Sequence, residues 1–192
     1  MSDCIRNDDC SPYLEWTRRL KIAMEIANAV AYLHVGFTRP IVSKSIKLAN
    51  ILFDEECVAK LFDFTLSEII PEGETHVNNG VVRATMGHVA PEYAHTGNFN
   101  ENSDVFSFGI LLLQLLTGHE LREGVEKYIE NNRFDEIIAD PMIVGDGLCP
   151  EKEHQLKAFA DLALKCVTES AEERPTMVDV AKQLRQMYLS SM

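Results

Sequence analysis

Ile41-Val42-Ser43-Lys44-Ser45-Ile46-Lys47-Leu48-Ala49-Asn50-Ile51-Leu52 is a short polar loop held between apolar ends. It carries two lysines, Lys44 and Lys47, and one amide, Asn50, but no carboxylate. The hydroxyl of a serine such as Ser45 cannot act as a general base near neutral pH, because that role needs a group that titrates close to the working pH. Just downstream, the apolar runs Ile51-Leu52-Phe53 and Val58 to Phe62 are separated by Asp54-Glu55-Glu56-Cys57, the pattern of a small β-hairpin. Upstream, from about Leu14 to His34, Trp16, Leu20, Ala23, Ala27, Val30 and Ala31 recur at helical spacing on one face. Ile22, Ile26, Ala29 and Leu33 widen that face until the helix must be mostly buried, and Gly36 and Pro40 end it.

Farther along, Ser67 to Arg83 is largely polar, with Gly73, Asn78, Asn79 and Gly80, and reads as a long loop of the functional or mobile kind. Ser103 is a candidate cap for a helix running through Val105, Phe108, Gly109, Leu112, Leu113 and Leu116 to a stop at Gly118. That helix is apolar nearly all round, which marks it as the central core helix. A weaker helix is predicted over Arg122 to Asn131. Another starts near Glu151, with Phe159, Leu162, Ala163, Cys166 and Val167 on one face, and a last one near Thr176, with Met177, Val180, Ala181 and Leu184. The fold class is mainly α within α+β: one helix-dominated domain over residues 14–190 with a small β-hairpin, preceded by a polar segment over residues 1–13.

Length and composition fit that reading. A chain of 192 residues, 46% hydrophobic and 25% charged, suits a single soluble domain. The formal net charge of -12 argues against binding nucleic acid or an anionic membrane through a basic face. The five cysteines, Cys4, Cys10, Cys57, Cys149 and Cys166, fit neither a disulfide framework nor a zinc site, and reduced thiols in the cytosol are the simple account. The histidines form no spaced cluster. No signal-peptide pattern or sequon is present, Ser2 excludes N-myristoylation, and the apolar run Phe108 to Leu116 is too short to span a bilayer. A cytoplasmic protein is expected, reaching the plasma membrane only through partners, with no membrane insertion of its own.

In order, these elements resemble the C-terminal lobe of a eukaryotic protein kinase. The opening loop, residues 41–52, has the frame of the catalytic loop H-R-D-x-x-x-x-N, with Ser43, Lys44 and Ser45 at the three defining positions and Asn50 at the last. Asp63-Phe64-Thr65 stands where D-F-G belongs and Ala90-Pro91-Glu92 matches A-P-E, so residues 63–92 correspond to the activation segment. Asp104-Val105-Phe106-Ser107-Phe108-Gly109 looks like the start of the central helix, placed at 103–117, and Arg174-Pro175-Thr176 like the entry to the last helix, placed at 176–188. Leu20 to His34, Ile46 to Phe64 and Ile70 to His76 are similar to plant receptor-like kinases of the wall-associated group. The altered loop resembles the receptor-like cytoplasmic pseudokinases that act as adaptors for a coiled-coil NLR immune receptor.

The resemblance implies roles residue by residue. Lys47 matches the lysine facing the transferred phosphate, and Asn50 and Asp63 match the two magnesium ligands, so these three would form a vestigial ATP/magnesium site. Ser45 removes the base, a contribution typically worth roughly 10²–10⁴ in rate. Ser43 replaces a histidine packed beneath the motif phenylalanine, so the stack under Phe64 is cut short. Lys44 keeps a positive charge but not the fork of an arginine for a phosphorylated loop residue. Thr65 stiffens a position that is usually glycine. Glu92 and Arg174 resemble a structural ion pair, Asp104 resembles the residue that holds the loop backbone from below, and Leu52, Leu111 and Leu115 match an apolar column under the adenine site. His88 stands at an aromatic position and reads as a packing substitute. Of the hydroxyls Thr65, Ser67, Thr75 and Thr85, Thr75 and Thr85 are the candidate phosphosites.

No Gly-rich loop, V-A-I-K lysine or helix-C glutamate occurs, so the expectation is a C-terminal lobe without an N-lobe and with half a nucleotide site. The implied function is a catalytically inactive adaptor that needs no cofactor and binds an NLR immune receptor or receptor-like cytoplasmic kinases. Two alternatives stand beside it. One is a serine/threonine receptor-like kinase that binds ATP and phosphorylates proteins when its N-lobe is present. The other is a truncated product with no separate function.

Overall fold

The computed structural model describes residues 15–78, 87–118 and 149–191. Helix α1 spans Trp16–Val35 and buries the expected face, Trp16, Leu20, Ala23, Ala27, Val30 and Ala31, together with Ile22 and Ile26. It packs against the last helix and the central one. Arg19 lies within the buried face, donating Nη1–H to the carbonyl of Leu115 at 2.8 Å, so a cation interrupts the apolar periodicity and is hydrogen-bonded where it is buried.

After α1 come β1 (Ile41–Val42), a single 3₁₀ turn at Leu48–Asn50, and the expected hairpin of β2 (Ile51–Phe53) with β3 (Ala59–Leu61). Asp54 closes the hairpin turn by accepting from the amides of Glu56 and Val58. The long loop expected over Ser67 to Arg83 is corrected in its described part. Glu68–Ile69 forms β4, antiparallel to β1, and Val77–Asn78 forms β5, antiparallel to β6 (Asn98–Phe99). Two-residue ladders between distant segments leave no alternating pattern to read, which is why sequence periodicity shows one hairpin where the described residues form three two-stranded pairings.

Helix α2 spans Pro91–Thr96 and α3 spans Glu101–Thr117. The central helix therefore begins at 101 rather than 103. Its cap is Asn100, whose side chain accepts from Asn102 and Ser103, while Ser103 closes a capping box as the third helical residue. From Ser103 to Thr117 every residue is buried, as an all-round apolar helix requires. Gly118 ends it in the left-handed conformation, at φ 71°.

Helix α4 (Pro150–Cys166) crosses α3 closely at Gly109. A Cβ there would lie 2.7 Å from Cys166 Cβ and from Val167 Cγ1. A 3₁₀ turn at Ala171–Glu173 leads to α5, Met177–Ser190, capped by Thr176; it starts one residue after and ends two residues after the expected 176–188. The segment over residues 1–13, the helix expected over Arg122 to Asn131, and Thr85 fall outside the described residues.

Candidate functional site

Asp104, fully buried in the first turn of α3, organises the loop that follows β1. Its Oδ2 accepts from the Ser43 amide at 2.7 Å and its Oδ1 from the Lys44 amide at 3.0 Å. His34, from the last turn of α1, places Nε2 3.0 Å from the same Oδ2. The histidine is a partner that sequence reading missed, because it lies 70 residues away and belongs to no cluster. Held from below, Lys44 takes a left-handed backbone, φ 60°, which costs a non-glycine residue about 1–2 kcal/mol. Its buried ammonium reaches Glu68 Oε1 on β4 at 2.8 Å and lies 5.5 Å from the centre of the Phe99 ring.

One residue on, Ser45 is buried and turned into the loop. Asn50 Nδ2 donates to the Ser45 carbonyl at 2.9 Å and to Ser45 Oγ at 2.6 Å. The amide that sequence reading assigns to magnesium thus ties the loop across its own width. Asp63 Oδ1 accepts from the Thr65 amide at 3.0 Å and caps that turn. Its pKa is held below the usual carboxylate value by the Thr65 hydrogen bonds, with Lys47 contributing charge. Among the described residues no group of three or more His, Cys, Asp and Glu could hold a metal ion. Asn50 and Asp63 would supply two oxygens, and a magnesium ion would draw the rest of its near-octahedral shell from nucleotide phosphates and water.

Ser43 is fully buried and its Oγ has no hydrogen-bond partner, while its carbonyl accepts from Ser67 Oγ at 3.2 Å. A buried hydroxyl left unpaired costs about 1–3 kcal/mol, so the small side chain does not fully suit its place. Phe64 is 46% exposed. Ser67, a candidate acceptor hydroxyl by sequence, is used structurally; Thr75 stays exposed, its Oγ1 3.2 Å from His76 Nδ1.

Of the apolar column, Leu111 and Leu115 are buried in α3, while Leu52 is 39% exposed, as is nearby Phe62.

Glu92 and Arg174 form a forked pair, Nη1 to Oε1 at 2.8 Å and Nη2 to Oε2 at 2.9 Å. The guanidinium also donates to the carbonyls of Thr168, Asn102 and Glu169 and stacks 5.0 Å above Phe106, so all of its N–H groups are used. Burial alone would raise the Glu92 pKa; the Arg174 hydrogen bonds and charge, with Ser103, bring it below the usual value.

His88 is half-buried beside the loop. Ser107 Oγ donates to its carbonyl, and the amide of Gln114 lies 3.4 Å from its Nε2. Desolvation pushes its pKa down despite nearby backbone carbonyls, which keeps the ring neutral and suits a packing role. The cavity between His88 and the loop, lined by Lys44, Ser45, Lys47, Tyr93 and Phe99, measures about 10 Å³, room for at most one water. A far larger open cleft, about 1140 Å³, lies between the first residues of α1, the start of α4 and the end of α5, and no loop residue lines it.

This ordered set of loop, D-F-T turn, activation segment and A-P-E pair agrees with a match of residues 4–188 to the protein kinase domain family. The chain belongs to the protein kinase family. Within it, this kinase-fold chain is 42% identical over 177 residues to the inactive serine/threonine-protein kinase ZRK12 of Arabidopsis thaliana, covering 88% of this chain and 44% of that protein. It is 38% identical to the serine/threonine-protein kinase ZRK1 of the same plant, covering 92% of this chain and 53% of that one. It is 39% identical to wall-associated receptor kinase 3, also of that plant, covering 89% and 24%. Among solved structures, the pseudokinase domain of BIR2, described as an immune regulator of the RLK/Pelle family, superposes with a TM-score of 0.75 at 27% identity, over 95% of this chain and 56% of that one. The chain thus spans about half, or less, of the length of these relatives. Among the described residues no helix is long and apolar enough to cross a membrane.

Proposed function

We propose that this kinase-fold chain is a catalytically inactive binding module, an adaptor in plant signalling that joins an NLR immune receptor to receptor-like cytoplasmic kinases. The observation that carries the inactive part is Ser45. At the position of the base it offers a hydroxyl already hydrogen-bonded to Asn50, and no carboxylate stands in for it within the loop. The kinship with an inactive kinase and with a pseudokinase supports the same reading. The adaptor acts in the cytoplasm, meets the plasma membrane through its partners, and needs no bound nucleotide or metal.

The retained scaffold is what a binding role requires. Asp104 and the Glu92–Arg174 pair hold the loop and the end of the activation segment in a fixed surface without any catalytic demand on them. In pull-downs, this surface is expected to retain a coiled-coil NLR receptor or a cytoplasmic kinase, and failure to bind any of them removes the adaptor role. Magnesium-dependent phosphotransfer is expected to stay at background for the chain and for a version joined to an N-lobe.

The backbone of the loop favours keeping one second reading, a serine/threonine kinase active when completed by an N-lobe. Asn50 still bonds across the loop to residue 45, and ZRK1 is named as a kinase. If the N-lobe-containing protein transfers phosphate, and loses that activity in Lys47→Ala or Asp63→Asn, the second reading replaces the first. If only Ser45→Asp raises transfer, by on the order of 10²-fold, the base is the missing part and the inactive reading holds.

A further inference from the structure

Lys44 sits between two ladders that fasten the activation segment. On one side, β4 pairs with β1 in the register Ile41↔Ile69 and Val42↔Glu68, and the Ile70 amide donates to the Pro40 carbonyl at 3.0 Å. On the other, β5 pairs with β6 through Val77↔Phe99. The Lys44 ammonium meets Glu68 from the first ladder and the ring of Phe99 from the second. Its side chain is 5% exposed, and an ammonium that deep needs an anion to offset desolvation. The loop backbone cannot swing it elsewhere, because Asp104 holds the amides of both Ser43 and Lys44.

We propose that Glu68 is a built-in anion for Lys44, fixing the start of the activation segment without phosphorylation, so that phosphorylation at Thr75 leaves that segment where it is. A phosphate brings charge and acceptor oxygens, and it orders a loop when it finds a cation able to receive it. Lys44 is a buried cation beside the start of this segment, and Glu68 already engages it. To engage it, a phosphate on exposed Thr75 would have to displace Glu68, which holds the ammonium at 2.8 Å. Phosphothreonine 75 would then act as a surface feature for a partner rather than as a switch of this chain. This inference goes beyond the adaptor reading and does not depend on it.

The test is amide hydrogen exchange on the whole unphosphorylated chain, reading the amides of 68–70 against those of α3 as the reference for global folding. The 68–70 amides are expected to be protected in the unmodified protein. In Glu68→Gln they should exchange faster by roughly tenfold, the size of effect typical of a charge-assisted hydrogen bond, with α3 unchanged. Lys44→Met, which keeps the apolar stem, should behave the same way, and the exchanged pair Lys44→Glu with Glu68→Lys should recover part of the protection. Genetically encoded phosphothreonine at 75 should leave the 68–70 amides unaltered. Unprotected 68–70 amides in the unmodified chain, indifference to Glu68→Gln and Lys44→Met, or a gain of protection on phosphorylation of Thr75 would each overturn the proposal.

Discussion

At the scale of single residues, Glu92 and Arg174 carry a clear stability consequence. Glu92→Gln leaves the guanidinium buried beside a neutral amide, and removing one partner of such a pair typically costs on the order of 3–5 kcal/mol, toward the lower end here because the Glu92 side chain is 26% exposed. Urea titration of the variant checks this. The pH dependence has a definite sign. The folded Glu92 carboxyl sits below its ordinary 4.5, so its contribution is complete above that pH and is lost as pH falls through the lower folded value. Stability of the parent chain measured from pH 6 downward should therefore fall below about 4.5 more steeply than that of Glu92→Gln. Residues of this kind were legible in the sequence because they belong to named short motifs. His34 and Glu68 were not, since each meets its partner across a chain separation that no local pattern encodes.

Among elements, the crossing of α3 and α4 is set by the absence of a side chain. Alanine at 109 would gain about 0.8–1 kcal/mol of helix propensity over glycine. It would also drive a methyl into Cys166 and Val167 at 2.7 Å, and overpacking of this kind costs about 1–3 kcal/mol. Packing wins, so Gly109→Ala is expected to lower the midpoint of chemical denaturation. Cys166, its thiol pushed up to about 12 by burial, should stay inert to thiol reagents in the folded chain. Among the described residues, α1, α3, α4 and α5 were readable because each repeats its apolar residues over several turns, while the six-residue α2 was not. The ladders β1–β4 and β5–β6 were not, being two residues long and joined by backbone groups common to every residue. The start of α3 was misplaced by two residues because Asn100 and Ser103 both carry capping side chains and only the backbone decides between them.

For the whole molecule, burial differs sharply among Leu52, Leu111 and Leu115, the first exposed and the other two sealed in. Leu52→Ser combined with Phe62→Ser should leave the melting temperature nearly unchanged, each change falling within about 0.5 kcal/mol as is usual for exposed positions. Leu111→Ala, in a helix sealed on all sides, should cost about 2–5 kcal/mol; parallel thermal melts distinguish the two. The way Asp104 meets the loop has a consequence for how this protein tolerates change. It binds Ser43 and Lys44 through main-chain N–H groups, which every amino acid except proline possesses. At positions 43 and 44 the path of the loop is therefore inherited from a helix through main-chain contacts, while Asn50 secures residue 45 from within the loop and the Lys44 side chain reaches out to Glu68. The contour at 43 and 44 can outlast changes of side chain at Ser43, and the one substitution barred outright at both is the imino acid.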